Sequence, residues 1–474
     1  MLPADPVAAQ PLAAELILVN GKVHTFSDRQ PRAEAIAVAG GKIIAVGTDR
    51  EIRARAGERT QVIDAGGGLV LPGFIDPHVH LIALGNRFST LDLRTITEPA
   101  ALYARLREYV RFLPKGRWIL GSGGGGELWD RVDGAMLDRE TPENPVFLYH
   151  SDAMSAIANS RAFRAAGIED AAAGSVRGTN FERIRQAVPS DHTRRWAEVA
   201  ETASNYAASY GVTSVHDTDS DDRSAVYREL AAAGHLKTRI YDCIKISEWK
   251  KLAGEAKRSR ETSGLVRTGC LKGTADADGA SRDSLQAHVT ASDKAGSQIL
   301  LHAIGGRQIA TALDLFEQAV KANGKRDRRF RIEHAERASE DDILRMRRLG
   351  VIASAQPHLF GGANANREYY ARLAKAGIPV IFGSDAPMTD LDPFFTLRAA
   401  VGPENGDVLI WESAVRRMTT GPAWAEFQEK VKGKIEPGML ADIVVLDPER
   451  SGLANSFGGV RFTIVDGRVV YRAD

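Results

Sequence analysis

The sequence predicts an α/β fold: a distorted (β/α)8 TIM barrel with a discontinuous, small β-sandwich built from both chain ends. Three observations lead to this prediction. Strand-like and helix-like segments alternate through the middle of the chain, as they do around a parallel sheet. Short β patterns occur at both ends, and each group is too small to bury a core alone. Titratable side chains follow several central strands, where barrels place functional residues.

Residues 1–14 are rich in alanine and proline, which is typical of a flexible leader. They lack the basic start and the long apolar centre of an intact signal peptide. Because the same segment fits the stub of a removed signal, the cytoplasm and the periplasm both stay open as compartments.

Two β-rich segments, 15–70 and 433–474, are predicted to pair into one composite β-sandwich. The first contains two hairpin patterns, with turns at Asn20-Gly21 and Gly40-Gly41, and a short helix at 50–56. The second ends in a hairpin with its turn at Asp466-Gly467.

Residues 71–432 are predicted to form the barrel. The segment contains eight candidate strands, which are the one that carries His78 and those at 211–217, 239–244, 269–273, 298–302, 330–334, 351–355 and 379–383. Residues 84–192 are longer than one connection needs, so we predict an insertion over the barrel mouth, used as a substrate lid. Its glycine run at 121–126 is not followed by GK[ST], which argues against a phosphate cradle.

The composition excludes several classes of protein. The 474-residue chain is 43% hydrophobic and has a formal net charge of +1, so it lacks an electrostatic footprint for nucleic acid. It contains no apolar run long enough to span a bilayer. Cys243 and Cys270 have no CxxC spacing, so we expect neither a disulfide framework nor a cysteine zinc site. A small-molecule substrate is the expected partner, and self-association into a homo-oligomer stays open.

Two histidines stand near the end of the first barrel strand, in residues 71–80, LPGFIDPHVH. Side chains alternate along a strand, so His78 and His80 point the same way and can chelate one cation. The alternative is that both form hydrogen bonds within a core, and the pair alone does not decide between these interpretations.

Later strands end in four further residues: Lys272, His302, His334 and Asp385. With the histidine pair they provide four imidazoles and a carboxylate, a donor set that suits Zn²⁺. Zinc with an open coordination position lowers the pKa of bound water toward ~7, so hydroxide is available at neutral pH. Asp385 can ligate the metal, take the proton of that water and pass it to a leaving nitrogen.

Lys272 ends a buried strand, where burial and a nearby metal charge favour its neutral amine. A neutral amine can add CO₂ and become a carbamate, which bridges two metal ions. The prediction is therefore one or two divalent ions, with a carboxylated Lys272 as bridging ligand of a binuclear centre. The alternative is an ordinary lysine whose head reaches solvent or a salt bridge.

Six strings carry a family resemblance: LPGFIDPHVH at 71–80, GVTSVHD at 211–217, LHAIG at 301–305, RIEHA at 331–335, GSDAP at 383–387 and GMLADIVVL at 438–446. The chain resembles the amidohydrolase superfamily and, more narrowly, the amidohydrolase-3 group, which contains N-substituted formamide deformylases. The resemblance implies a β-sandwich with a distorted barrel and hydrolysis of amide-like C–N bonds. It also implies metal ligation by the four histidines, a ligand and acid–base role for Asp385, and a carboxylated Lys272.

The chain departs from this group at residues 152–156, which are DAMSA where the group usually has DGHSA. Met154 therefore offers packing in place of a proton donor. The candidate substrate-binding residues are Asp152, Met154, His216 and His358. His216 could equally be a hydrogen-bonded core histidine, and Gln356-Pro357-His358 could equally be an ordinary loop.

These residues favour a metal-dependent hydrolase that cleaves a non-peptide or small amide C–N bond, of amide, N-acyl or N-formyl type. Attack comes from a metal-bound hydroxide, and Asp385 is the general base and acid. Hydrolysis of a lactone, an ester or a cyclic amide is the second hypothesis, because the metal polarises any of these carbonyls. A non-catalytic metal-binding protein is the third.

Overall fold

The computed structural model describes residues 13–88, 90–93, 95–122, 126–149, 155–169, 172–189, 192–220, 223–275, 282–359, 363–401, 411–447 and 459–473. Within these ranges, no helix is both long enough and apolar enough to cross a membrane. The chain divides into two compact units, one of residues 1–79, 207–224 and 237–474, the other of residues 80–206 and 225–236.

The N-terminal part of the first unit is mostly β structure. Its elements are β1 (Ala14–Val19), β2 (Lys22–His24), β3 (Arg32–Ala33), β4 (Ala35–Ala39), β5 (Lys42–Gly47), α1 (Asp49–Arg53), β6 (Ala56–Asp64) and β7 (Leu69–Pro72). Thr48 caps α1 in a capping box with Glu51. The order β5-β4-β1-β6 makes one four-stranded sheet.

The first barrel strand is β8 (Phe74–Val79), and the second unit begins directly after it. The elements that follow are α2 (Leu81–Asn86), β9 (Leu91–Asp92), α3 (Pro99–Val110), β10 (Ile119–Ser122), α4 (Gly126–Asp130), α5 (Gly134–Glu140), β11 (Val146–Tyr149), β12 (Ser155–Ala158), α6 (Ser160–Ala165), β13 (Gly174–Arg177), α7 (Gly178–Ala187) and α8 (His192–Ser209). The insertion has a five-stranded sheet, β13-β12-β11-β10-β9, with buried residues such as Leu106, Ile119 and Leu148 in its core.

The rest of the barrel alternates strands and helices. Its elements are β14 (Val212–Ser220), α9 (Ser224–Ala232), β15 (Arg239–Lys245), a 3-10 helix (Ile246–Leu252), α10 (Glu255–Glu261), β16 (Val266–Thr274), α11 (Arg282–Lys294), β17 (Gln298–Ile304), α12 (Gly306–Asn323), β18 (Arg331–Glu336), α13 (Glu340–Leu349), β19 (Ile352–Ala355), α14 (Ala363–Lys375), β20 (Val380–Phe382), α15 (Pro393–Ala400), α16 (Trp411–Arg416) and α17 (Thr420–Ala425). The eight barrel strands are parallel, in the order β20-β19-β18-β17-β16-β15-β14-β8, which confirms the predicted barrel.

The first and last barrel strands meet through polar contacts that nearly close the barrel. The Asp385 backbone N–H donates to the His78 carbonyl at 2.8 Å, and Val79 forms a bridge with Ala386. The Asp76 carboxylate, which is fully buried, accepts the backbone N–H groups of His78 and Ser384, both at 3.1 Å. The barrel edges are thus joined where the predicted ligands lie.

Three C-terminal strands complete the sandwich: β21 (Ile443–Leu446), β22 (Val460–Val465) and β23 (Arg468–Arg472). They pair with the N-terminal strands in a six-stranded sheet, β23-β22-β21-β7-β2-β3. Residues from both chain ends, such as Leu18, Ile36 and Ile443, share one buried core. The predicted discontinuous β-sandwich is therefore confirmed.

Two local expectations are wrong. The hairpin predicted at Asn20-Gly21 does not form, because β1 and β2 belong to different sheets and Asn20, at φ 56°, turns the chain between them. Cys243 and Cys270 are joined by a disulfide between β15 and β16. Parallel pairing places these two residues opposite each other, which their spacing along the chain does not reveal.

Candidate functional site

Three of the predicted ligands gather where the first and last barrel strands meet. His78 lies near the end of β8, His80 follows that strand, and Asp385 follows β20. One ligand atom from each of the three residues lies within 4.8 Å of the other two. His78 is 1% exposed and Asp385 is 5% exposed, so both groups are shielded from bulk water. The contact between the ends of β8 and β20 therefore places a carboxylate beside the histidine pair.

Of the other two predicted histidines, His334 lies next to His78 and His302 lies next to His334. The His334 ring centroid is 5.0 Å from that of His78 and 4.6 Å from that of His302. Burial lowers the pKa of His78 to about 3 and those of His302 and His334 to about 4. These imidazoles are therefore neutral at neutral pH, which is the state that binds metal.

Lys272 lies on β16, beside the strand that carries His302. It is 8% exposed, so its ammonium group does not reach bulk solvent in the manner of a surface lysine. Burial lowers the pKa of Lys272, and the negative charges of Glu333 and Asp385 oppose that shift. The position thus combines a buried amine with the carboxylates of the ligand cluster.

Arg331 and Glu333 form a buried ion pair next to His78. The Nδ1 atom of His78 lies 2.6 Å from Glu333 Oε2, while its Nε2 atom lies 3.4 Å from Asp385 Oδ1. The Arg331 guanidinium pairs with both oxygens of Glu333, at 2.9 and 3.0 Å, and also donates to the Pro77 carbonyl at 2.7 Å. Glu333 therefore accepts the Nδ1 proton, and the Nε2 lone pair is left to bind a metal.

Arg331 and Glu333 were not among the residues predicted from the sequence to be functional. A signal was present, because two opposite charges two positions apart in a buried strand must share one face. Arg331 and Glu333 are both 0% exposed, so each must find its counter-charge inside the barrel.

His216 lies on β14, next to the strand that carries His78, and has the contacts of the core-histidine alternative. Its Nδ1 accepts from Arg331 at 2.8 Å, and its Nε2 lies 3.3 Å from Glu426 Oε1. Burial lowers the pKa of His216 to about 4. Burial alone would raise the pKa of Glu426, but Lys432 and His216 outweigh it and hold that pKa below its usual range. His216 thus belongs to a buried polar network that reaches from Glu333 to Lys432.

His358 holds the loop that follows β20. Its Nε2 donates toward the Ser384 carbonyl at 3.2 Å and lies 2.6 Å from Thr389 Oγ1, and its Nδ1 lies 3.4 Å from Thr396 Oγ1. Both ring nitrogens are therefore engaged with the segment that carries Asp385. Asp152 and Met154, the other two predicted substrate-binding residues, lie outside the described residues.

The donor set fits a divalent metal of the zinc type. Imidazole nitrogens and a carboxylate oxygen converge, and a buried carboxylate fixes the tautomer of one imidazole. His78, His80 and Asp385 could hold the ion, with Lys272 within electrostatic reach of Asp385.

Replacing Gly383 with alanine should disturb this cluster. The new Cβ would lie 2.8 Å from Asp76 Oδ1 and 3.0 Å from the His78 backbone nitrogen, so β8 or β20 must shift. We expect a loss of about 1–3 kcal/mol in the free energy of unfolding and weaker zinc binding, measured by denaturant unfolding and dye competition. Gly264→Ala is the control, because the nearest atom to its Cβ is 3.9 Å away. Equal zinc affinity in both variants would contradict the expectation.

Comparison with known proteins gives a family and several relatives. Residues 61–471 match the model described as "Amidohydrolase family". Protein LONG AFTER FAR-RED 3 from Arabidopsis thaliana is 29% identical, over 92% of this chain and 87% of that protein. N-substituted formamide deformylase from Arthrobacter pascens is 27% identical, over 91% of this chain and 93% of that protein. A crystal structure of a metal-dependent hydrolase from Pyrococcus furiosus has a TM-score of 0.62 at 23% identity, covering 91% of this chain and 98% of that one, and so has the same fold.

Proposed function

The chain belongs to the amidohydrolase family, and from this premise we propose that it hydrolyses the C–N bond of a small, non-peptide amide, of N-acyl or N-formyl type. The observation that carries the proposal is the convergence of His78, His80 and Asp385 at one end of the barrel. The likeness to N-substituted formamide deformylase supports the choice of a C–N bond.

Each residue of the cluster has a defined task in this reaction. The four histidines and Asp385 would hold the metal, which we take to be zinc, and Glu333 would keep His78 in the ligating tautomer. When bound, the ion makes hydroxide available at neutral pH and polarises the substrate carbonyl. Asp385 takes the proton of the attacking water at its carboxylate. A C–O bond then forms, the C–N bond breaks, and Asp385 returns the proton to the leaving nitrogen.

We further propose that Lys272 is carboxylated and bridges two ions. Its neutral amine would add CO₂ with loss of one proton, and the resulting carbamate offers two oxygens as ligands. Lys272→Ala should then hold one ion per chain in place of two and recover part of its activity with added short carboxylic acids. Metal analysis and turnover measure both effects, and Lys245→Ala, an exposed lysine on the neighbouring strand, is the control. Full two-metal occupancy in Lys272→Ala would end the carbamate proposal.

A substrate panel tests the proposed reaction. The zinc-loaded protein is assayed on amides, esters, lactones and cyclic amides that share one acyl group. Highest kcat/KM on the open-chain amides, lost on metal removal and regained on zinc addition, is the expected result. Turnover confined to esters or lactones would favour the second hypothesis. Zinc binding without turnover on any substrate would favour a non-catalytic protein.

A further inference from the structure

Gln356 stands out among the described residues because both polar atoms of its side chain are buried without a hydrogen-bond partner. Its side chain is 0% exposed. Burying an amide without partners costs free energy, since both atoms give up hydrogen bonds to water. A group of this kind in a folded protein calls for an explanation, and an external ligand is one.

The position of Gln356 relates it to the metal-ligand cluster. It follows β19, in which Ser354 faces the barrel interior and accepts from Arg331 at 3.1 Å. Ser354 is also the register partner of Glu333, whose carboxylate holds His78. Because side chains alternate, Gln356 is the next residue on that interior face, one layer closer to the strand ends. It is about as buried as His78 and His334, which are 1% and 2% exposed.

The barrel contains a matched glutamine with a structural role. Gln298, on β17, is also 0% exposed, but its amide is fully used. Its Nε2 donates to the carbonyls of Arg329 and Ala425, at 2.8 and 2.7 Å, and its Oε1 accepts from the Tyr241 hydroxyl at 3.2 Å. Both polar atoms of the Gln298 side chain thus form hydrogen bonds that stabilise the fold. The side-chain amide of Gln356 has no such partner among the described residues.

We propose that Gln356 is a specificity-determining residue that recognises the amide group of the substrate and selects amides over esters. This inference rests on the proposed function. The Oε1 atom accepts the N–H of an amide substrate, and Nε2 donates to a carbonyl oxygen. An ester offers a carbonyl but no N–H, so it leaves Oε1 unpaired in the complex. Sites built to bind an N–H discriminate strongly against analogues that lack it.

The test compares Gln356→Met with Gln298→Met in the zinc-loaded protein. Methionine has a similar volume and no amide. For Gln356→Met we expect the thermal midpoint to rise by about 1–3 °C, because an unsatisfied amide is removed. For Gln298→Met we expect a fall, because two carbonyls and a hydroxyl lose their partner. A structural role for Gln356 would lower the midpoint in both variants and overturn the proposal.

The second readout is selectivity between N-phenylacetamide and phenyl acetate. In Gln356→Met, kcat/KM should fall roughly 10-fold or more for the amide and by less for the ester, which loses only the Nε2 hydrogen bond to its carbonyl. An unchanged amide-to-ester ratio would overturn the proposal even if the midpoint rises. If the wild-type protein hydrolyses neither compound, the comparison uses the amide and the ester of the substrate panel with the highest kcat/KM. If no amide of that panel is hydrolysed, the proposed function has failed, and equilibrium binding of N-phenylacetamide decides the role of Gln356. Binding weakened by Gln356→Met supports recognition of the amide, and equal binding refutes it.

Discussion

Replacing Asp385 with asparagine is expected to lower kcat for an amide substrate by about 10²–10⁴-fold, the range that a positioned general acid–base contributes. Asparagine keeps the shape of the side chain and one oxygen that can ligate metal, but it cannot accept the proton of the attacking water. The carboxylate lies 3.4 Å from His78 Nε2, and on the proposed function it would both ligate the ion and act on water. Zinc content and turnover should be measured on the same preparation.

Asp390→Asn is the matched control for Asp385→Asn. Asp390 is exposed and lies in the same loop, so its substitution makes the same chemical change outside the cluster. We expect full turnover from the control. Undiminished turnover of Asp385→Asn with bound zinc would remove Asp385 from the proton transfer, and loss of zinc together with activity would assign it to ligation.

Replacing Arg331 with methionine should lower the free energy of unfolding by about 3–5 kcal/mol, as expected when one partner of a buried ion pair is removed. Arg331 is 0% exposed and contacts Glu333, His216, Pro77 and Ser354. Its loss leaves the Glu333 carboxylate buried with His78 as its remaining close partner. Denaturant unfolding measures the loss, and weaker zinc binding should accompany it, since the orientation of His78 depends on Glu333.

Two further variants serve as controls for Arg331→Met. Arg348→Met removes a surface arginine whose side chain is 68% exposed and pairs with Glu317, and this change should cost less than about 1 kcal/mol. The double variant Arg331→Met/Glu333→Leu removes both charges and should recover part of the lost stability, because no uncompensated charge remains. Equal stability of Arg331→Met and Arg348→Met would show that the buried pair does not support the barrel.

Much of the fold could be predicted because strand and helix periodicity is local. Eight apolar segments alternating with helices specify a barrel, and functional residues then collect at the strand ends. The family match over residues 61–471 confirms the resemblance read from the six strings. Pairing partners are not local, which explains the two errors. The strands around Asn20 join separate sheets, and Cys243 meets Cys270 only through the register of two parallel neighbours.

The candidate site could likewise be predicted only in part, because some of its contacts are local in sequence and others are not. His78, His80 and Asp385 could be predicted because each follows from its place on one strand, and the structure brings them together. The contacts behind them could not, since Arg331 reaches His216 across 115 positions of the chain. A pattern of residue types does not distinguish a histidine that binds a ligand from one that accepts from a buried arginine. The two kinds of histidine are told apart only by their contacts inside the folded barrel.

The polar contacts between the first and last barrel strands also bear on how the protein matures in the cell. Asp76 binds Ser384 across 308 positions of the chain, and the ligand cluster spans the same seam. During synthesis on the ribosome, the histidine pair emerges long before Asp385, so the two parts of the cluster become available at different times. On the proposed function, an ion held by both halves of the cluster would therefore bind only after synthesis has passed the last strand.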